Sequence, residues 1–281
     1  MKRIVTLQDI SCVGRCSITV ALPVISAMGV ECGILPTAVL STHTMFKTFT
    51  CKDLSDQIGP IADAWKQENI TFDAVYTGYL ASAEQCSQVC AFFDRFYDGN
   101  NLILVDPAMA DNGSLYPAFD ESFPAEMAKV CAKADLILPN ITEACLLTGT
   151  PYKTSYDESY IHELLKKLLA LGCHTAALTG VSYEKGRLGV VSLDRNGDTF
   201  SYFTRHCPQS YHGTGDLYSS TVLSGLMRGL SLGNALSLAA DFVVACIEAT
   251  ASAENARWYA VEFESQIPLL CEMLDQRLKN N

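Results

Sequence analysis

The segment His212-Gly213-Thr214-Gly215-Asp216, running into Leu217-Tyr218-Ser219-Ser220-Thr221-Val222-Leu223, holds the sharpest chemical signal in the chain. Two glycines let a backbone turn tightly and approach a ligand. A helix that starts here aims its free N–H groups and positive dipole end at the cleft before it. That arrangement makes a hole for a transferring phosphoryl group or its developing negative charge. Asp216, in the first turn, can accept a proton from a substrate hydroxyl. A plainer reading stands beside this one, since Gly-x-Gly before a helix is common and the dipole alone favours an acid there. The motif lacks the Lys-Ser/Thr ending of a P-loop. It also lies too late in the chain, and one glycine short, for a dinucleotide fingerprint.

A hole of this kind needs a scaffold, and strand and helix patterns alternate along the whole sequence. Apolar runs predict strands at 4–7, 31–36, 72–77, 102–105, 135–138 and 176–179. An antiparallel pair is expected at 188–193 and 200–204, joined by the turn cluster Asp194-Arg195-Asn196-Gly197-Asp198. Between them, helices are expected at 17–28, from an Asp53 cap to 68, 82–97, 125–133, 142–147 and 158–171. Three more follow at 215–228, 232–251 and 264–278. Residues 8–11 read as a polar turn and 41–50 as a polar loop. The fold class that follows is α/β: one three-layer α/β/α domain over 1–281, with a mostly parallel central sheet and helices on both faces.

In such sheets ligands bind beyond the carboxyl ends of the strands. Polar residues recur there: Asp9, the 41–50 loop, Gly78-Tyr79, Asp106, Asn140 and Thr179-Gly180. Each also has a structural reading. Asp106-Pro107 can be strand punctuation, Glu143 can favour a helix start, and Tyr79 and His43 can be packed or exposed loop residues.

Composition narrows the partners. The chain has 281 residues, 20 Lys+Arg against 31 Asp+Glu, and a formal charge of −11. That balance argues against a general nucleic-acid binder, which needs a basic stripe, yet allows a small anion held by backbone N–H groups. No stretch reads as a membrane span, because Asp241 and Glu248 interrupt the apolar run 235–251. Twelve cysteines would suit a disulfide framework. But the start Met-Lys-Arg-Ile-Val-Thr-Leu-Gln-Asp predicts no secretory leader, and most cysteines sit in apolar patterns as small hydrophobes. Cys86 and Cys90, at i and i+4, lack a matching Cys/His pair for zinc. A cytoplasmic enzyme is the expectation.

With these residues in place, a resemblance becomes specific. Gly213-Thr214-Gly215-Asp216 is similar to the anion-hole motif of the ribokinase-like superfamily, and Asn140-Ile141-Thr142-Glu143 resembles its Asn-x-x-Glu motif. Within that superfamily the chain is most similar to the pyridoxal kinase family of vitamin B6 salvage. Thr77-Gly78-Tyr79-Leu80 with Ser82-Ala83-Glu84-Gln85 resembles its Gly-Tyr-Leu-Gly-Ser segment. Val105-Asp106-Pro107-Ala108-Met109 resembles its Asp-Pro-Val-Met segment, and Leu40-Ser41-Thr42-His43-Thr44 its Asn-His-Thr loop. The resemblance runs in order from residue 4 to 251.

The resemblance implies ATP-dependent phosphorylation of the 5′-hydroxymethyl group of pyridoxal, pyridoxine or pyridoxamine. It implies Asp216 as base, with the backbone of Gly213, Thr214 and Gly215 on the γ-phosphoryl. Asp106 and Glu143 would hold Mg²⁺ and the ATP phosphates, with Asn140 alongside and Asp111 adding a contact. Thr179 and Gly180 would lie near ATP. Asp9, His43, Thr44 and Tyr79 would line the pyridine pocket. A homodimer is implied, and a monovalent cation beside Mg²⁺ stays open. The chain departs from the family at Asp9, where Ser is usual, at Ala110, where a glycine often follows the Met, and at Met45-Phe46-Lys47, which lacks the usual glycines. A hydroxymethylpyrimidine kinase is the near alternative, and a non-catalytic B6-vitamer binder the alternative from another class. The 188–204 hairpin and the segment to Tyr211 are candidate lids.

Overall fold

The computed structural model describes residues 1–280. Its two longest strands, β1 (Arg3–Val13) and β2 (Glu31–Thr42), lie side by side and parallel, with α1 (Ile18–Ala27) between them in sequence. The chain then forms β3 (Cys51–Asp53), α2 (Ser55–Gln67), β4 (Ala74–Thr77), α3 (Ala83–Phe96) and β5 (Leu102–Val105). A two-stranded hairpin follows, β6 (Ala110–Asp111) with β7 (Ser114–Leu115), then α4 (Phe123–Cys131), β8 (Leu136–Ile137), α5 (Ile141–Thr148) and α6 (Glu158–Ala170). The remainder is β9 (Thr175–Val181), β10 (Arg187–Asp194), β11 (Thr199–Arg205), α7 (Thr214–Met227), α8 (Leu232–Ser252) and α9 (Ile267–Lys279).

Nine strands make one sheet in the order β11-β10-β9-β8-β5-β4-β1-β2-β3. The run from β2 to β9 is parallel, and β3, β10 and β11 add antiparallel edges. Strand alternation builds two cores, since successive side chains point to opposite faces. Val5, Leu7, Val75, Ile103, Val105 and Leu178 meet α2 to α6 on one face. Ile4, Tyr76, Leu104 and Ala177 meet α1, α7, α8 and α9 on the other. This is the three-layer α/β/α arrangement expected. The chain leaves β1 for β2 on one side and returns to β4 on the other, so a crevice opens between β1 and β4 at their carboxyl ends.

Four expectations need correction. Residues 8–11 are no turn: β1 runs on to Val13, bulging between Gln8 and Ile10, because β2 continues beside it through Thr42. The 41–50 loop is accordingly shorter, and Cys51–Asp53 pairs with β2. Asp53 does not cap α2; Leu54 holds that position, and the Asp53 carboxylate accepts the Ser55 N–H at 2.7 Å. The 188–204 hairpin is no lid, since both its strands pair into the sheet edge under α8.

α8 is, among the described residues, the one helix long and apolar enough to cross a membrane by length and composition, despite Asp241 and Glu248. In this fold Leu236, Ala239 and Phe242 bury against the sheet, and Asp241 accepts from Tyr202 at 2.8 Å and pairs with Arg277 at 2.6 Å. All twelve cysteines are free thiols, six of them buried.

The β10–β11 edge is tight at Gly189, where an added Cβ would lie 2.1 Å from the Tyr202 carbonyl oxygen. Gly189→Ala is expected to destabilise the fold by about 1–3 kcal/mol, the usual range for overpacking, read as a lower urea midpoint. An unchanged midpoint would show that the two strands part without cost.

Candidate active site

α7 opens at Gly213, whose φ is +85°. A Cβ there would lie 2.2 Å from the Arg15 carbonyl oxygen, so the close approach of the β1–α1 loop requires glycine. The N–H groups of Thr214, Gly215 and Asp216 belong to the first turn and have no intrahelical acceptor. Leu217 is the first to bond back, to the Gly213 carbonyl at 3.0 Å. Gly215 is exposed, so this rim of N–H groups opens to the cleft.

Asp216 sits half-buried at that rim. Burial, then the charge of Asp106, pushes its pKa up to about 7, with Asp9 adding and a hydrogen bond from the Ser17 N–H opposing. A carboxyl poised there can be ionised at neutral pH and still take a proton.

Asp106 follows β5 and is 8% exposed. Its N–H donates to the Thr77 carbonyl at 2.9 Å, which fixes it at the strand end. Its Oδ2 accepts from Ser219 Oγ of α7 at 2.8 Å and lies 3.8 Å from where a Gly215 Cβ would stand. The acid and the hole are thus in contact. Burial raises the Asp106 pKa to about 6, with the Ser219 bond opposing.

Glu143 is buried and its pKa is raised, first by burial and then by Asp106. Its Oε2 accepts the Asn140 N–H at 2.8 Å and its Oε1 the Met109 N–H at 3.1 Å. Asn140 answers by accepting the Glu143 N–H at 2.9 Å and donates to the Ala110 carbonyl at 2.8 Å. This is a capping box for α5, so the helix-start reading of Glu143 holds whatever else the residue does. The Asn140 side chain is occupied on both sides and acts on position. Asp111 is exposed, its carboxylate turned to Asn112 at 2.8 Å. Thr179 donates to the Pro139 carbonyl at 3.3 Å, and Gly180 beside it is exposed at φ +72°.

On the β1–β4 side, Asp9 is buried at the β1 bulge and accepts from Ser17 Oγ at 2.6 Å and Ser11 Oγ at 2.9 Å. Burial raises its pKa against those bonds. Tyr79 is pushed up to about 12, mainly by burial and next by the charge of Asp9, and its ring packs 5.3 Å from that of Phe119. His43 is buried, with Nε2 donating to the Tyr259 carbonyl at 2.9 Å and Nδ1 accepting the Met45 N–H at 3.2 Å. Those partners fix a neutral tautomer whose ring packs 4.4 Å from His212. Both His43 ring nitrogens are therefore engaged within the protein, and Thr44 stands exposed on the loop after it.

The sequence reading did not single out Ser11, Ser17, Ser219 or Arg15. The hydroxyls carry no motif, and Arg15 and Ser17 show themselves only through positive φ values of 49° and 51°.

No ion pair among the described residues involves Asp9, Asp106, Glu143 or Asp216. No group of three or more His, Cys, Asp or Glu able to hold a metal occurs among them either. A cage built wholly from protein does not fit. A hard cation held by one or two carboxylates together with phosphate oxygens fits this donor set.

A family model described as phosphomethylpyrimidine kinase matches residues 18–259. A Bacteroides thetaiotaomicron protein solved with pyridoxal, and assigned only provisionally as a phosphomethylpyrimidine kinase, is 36% identical, covering 96% of this chain and 95% of its own, with a TM-score of 0.91. Pyridoxal kinase from Lactobacillus plantarum is 30% identical over 98% of this chain and 99% of its own, with a TM-score of 0.90. The hydroxymethylpyrimidine/phosphomethylpyrimidine kinase of Bacillus subtilis is 28% identical over 87% of this chain and 82% of its own. With the fold, the α7 hole and the ordered motifs in agreement, the chain belongs to the phosphomethylpyrimidine kinase family, a ribokinase-like family whose relatives include pyridoxal kinases.

Proposed function

We propose that the protein transfers the γ-phosphoryl group of ATP to the 5′-hydroxymethyl oxygen of a B6 vitamer. The observation that carries this reading is the placement of Asp216 in the open first turn of α7, with Asp106 in contact with the same turn. Asp216 takes the hydroxyl proton as the oxygen–phosphorus bond forms and the bond to the ADP oxygen breaks. The N–H groups of Thr214, Gly215 and Asp216 face the charge on the transferring group. Asp106, with Glu143 behind it, would hold Mg²⁺, which neutralises charge on the phosphates when bound. Gly180 lets the β9 end pass close to the nucleotide, and Thr179, Asn140 and Asp111 shape that wall. Asp9, Tyr79, Thr44 and His43 border the ring side, where the solved Bacteroides relative with pyridoxal gives the resemblance its ligand class. A second reading, hydroxymethylpyrimidine as the alcohol, is favoured by the family description and the Bacillus relative.

ADP release with Mg·ATP against the three B6 vitamers and hydroxymethylpyrimidine distinguishes the readings: a vitamer is expected to give the highest kcat/KM. If the pyrimidine does, the second reading replaces the first. Asp216→Asn is expected to cut kcat by about 10²–10⁴-fold, the span of a lost general base, while still binding Mg·ADP. A base must be ionised, so wild-type kcat/KM should rise with pH through about 7 and level off above it. Turnover near wild type in the Asn variant would remove Asp216 from that role. A carboxylate at position 9 suits a protonated ring nitrogen or the pyridoxamine ammonium. Asp9→Ser should therefore move preference from pyridoxamine toward pyridoxal by about tenfold, roughly the worth of one charge-assisted hydrogen bond. An unchanged preference would sink the pocket assignment.

A further inference from the structure

The segment from residue 257 to 264, between α8 and α9, touches three separate parts of the site. The Tyr259 carbonyl accepts from His43 Nε2 at 2.9 Å, and Trp258 and Tyr259 pack on Phe46 with ring centroids at 4.9 and 5.2 Å. Val261 N–H donates to the His212 carbonyl at 3.2 Å, one residue before Gly213. Glu262 and Glu264 both pair with Arg15, Oε1 of Glu262 at 3.1 Å from Nη1 and Oε1 of Glu264 at 2.8 Å from Nε. The segment is itself anchored: Glu262 N–H donates to Thr250 Oγ1 at 2.8 Å, and Val261 and Phe263 are buried.

Arg15 is where this anchoring meets the chemistry. Its φ of 49° is a conformation that costs a residue with a side chain and persists only where surroundings hold it. Its carbonyl is the atom that a Gly213 Cβ would strike. Two residues on, Ser17 has φ 51° and donates Oγ to Asp9 at 2.6 Å, while its N–H faces Asp216. One short stretch of strained backbone thus borders the hole, the base and the ring-side acid. Its only charged side chain is held from outside by Glu262 and Glu264.

We propose that Arg15 is a positioning residue for the transfer: its ion pairs to Glu262 and Glu264 hold the 15–17 backbone, and through it Gly213 and Asp216, in register with the ring-side wall. The pair is half-exposed, so its worth lies in geometry more than in global stability. Phosphoryl transfer depends on placement, and a misplaced first turn weakens the chemical step more than it weakens binding.

The catalytic half of this inference rests on the proposed reaction; the structural half does not, and two readouts keep them apart. The first is hydrogen exchange of the hydrogen-bonded amides that report on this turn, Leu217 (to the Gly213 carbonyl) and Val261 (to the His212 carbonyl), followed in wild type, Arg15→Ala, Arg15→Lys and Glu262→Gln/Glu264→Gln, with Lys166→Ala as a surface control. Exchange there should quicken by about tenfold or more in Arg15→Ala and in the double Gln variant, with Arg15→Lys between and the control unchanged. The second is steady-state turnover of whichever alcohol the wild type uses. Arg15→Ala should lose about tenfold or more in kcat with each KM within about threefold, and adding the two Gln changes to Arg15→Ala should cost nothing further. Unchanged exchange overturns the proposal, as does unchanged kcat, or a loss that falls wholly on KM. If Arg15→Ala does not fold, the double Gln variant carries the same test at the far side of the clamp. A wild type that phosphorylates none of the alcohols removes the proposed reaction, and the exchange result still judges the clamp.

Discussion

Carboxylates gathered at one end of a sheet without a cation repel each other, and much of this structure exists to tolerate that repulsion. Burial raises the pKa of Asp106, Glu143 and Asp216, and the charge of Asp106 raises Glu143 and Asp216 further. A buried charge without a partner shifts its pKa or finds donors. Here donors are supplied from every side: Ser219 to Asp106, the Met109 and Asn140 N–H groups to Glu143, Ser11 and Ser17 to Asp9. These donors keep the acids in place without neutralising them. The protein is left short of positive charge where a magnesium nucleotide would bring it.

The same constraint explains why the acidic composition is no obstacle to an anionic ligand. The contacts open to a phosphoryl group are backbone N–H groups of the α7 first turn, which carry partial charge without adding a basic side chain. Gly213 makes that turn, and the β1–α1 loop presses against it so closely that no side chain fits. The first turn of α7, Asp216 within it and the β1–α1 loop form one packed unit, and substitutions in any of them would be felt by the others.

Much of the site could be read from the sequence because it sits at strand ends. Asp106, Asn140, Thr179 and Asp216 each follow or open an element whose apolar pattern is plain, so their placement followed from the fold class. What escaped reading was set by contacts between distant residues. Arg15 meets Glu264 across 249 positions of chain, and no local pattern announces such a pair. The continuation of β1 through Gln8, Asp9 and Ser11 was missed for a related reason: polar residues in a strand look like a turn unless the neighbouring strand is known to run on beside them. Glu143 shows the converse: the plain helix-cap reading is met in full, and the magnesium role proposed for the same carboxylate is a separate matter.

The charge shortage can be measured most directly by titrating Mg·ADP into the protein calorimetrically near pH 6.5, in buffers of different ionisation enthalpy. That pH lies between the values near 6 for Asp106 and near 7 for Asp216. A cation arriving beside these acids favours their ionised forms. Binding should therefore release protons, by an amount that shrinks toward pH 8.5, and Asp106→Asn should remove part of it. Binding without proton release, or with equal affinity for magnesium-free ADP, would contradict the assignment of these carboxylates to the magnesium nucleotide.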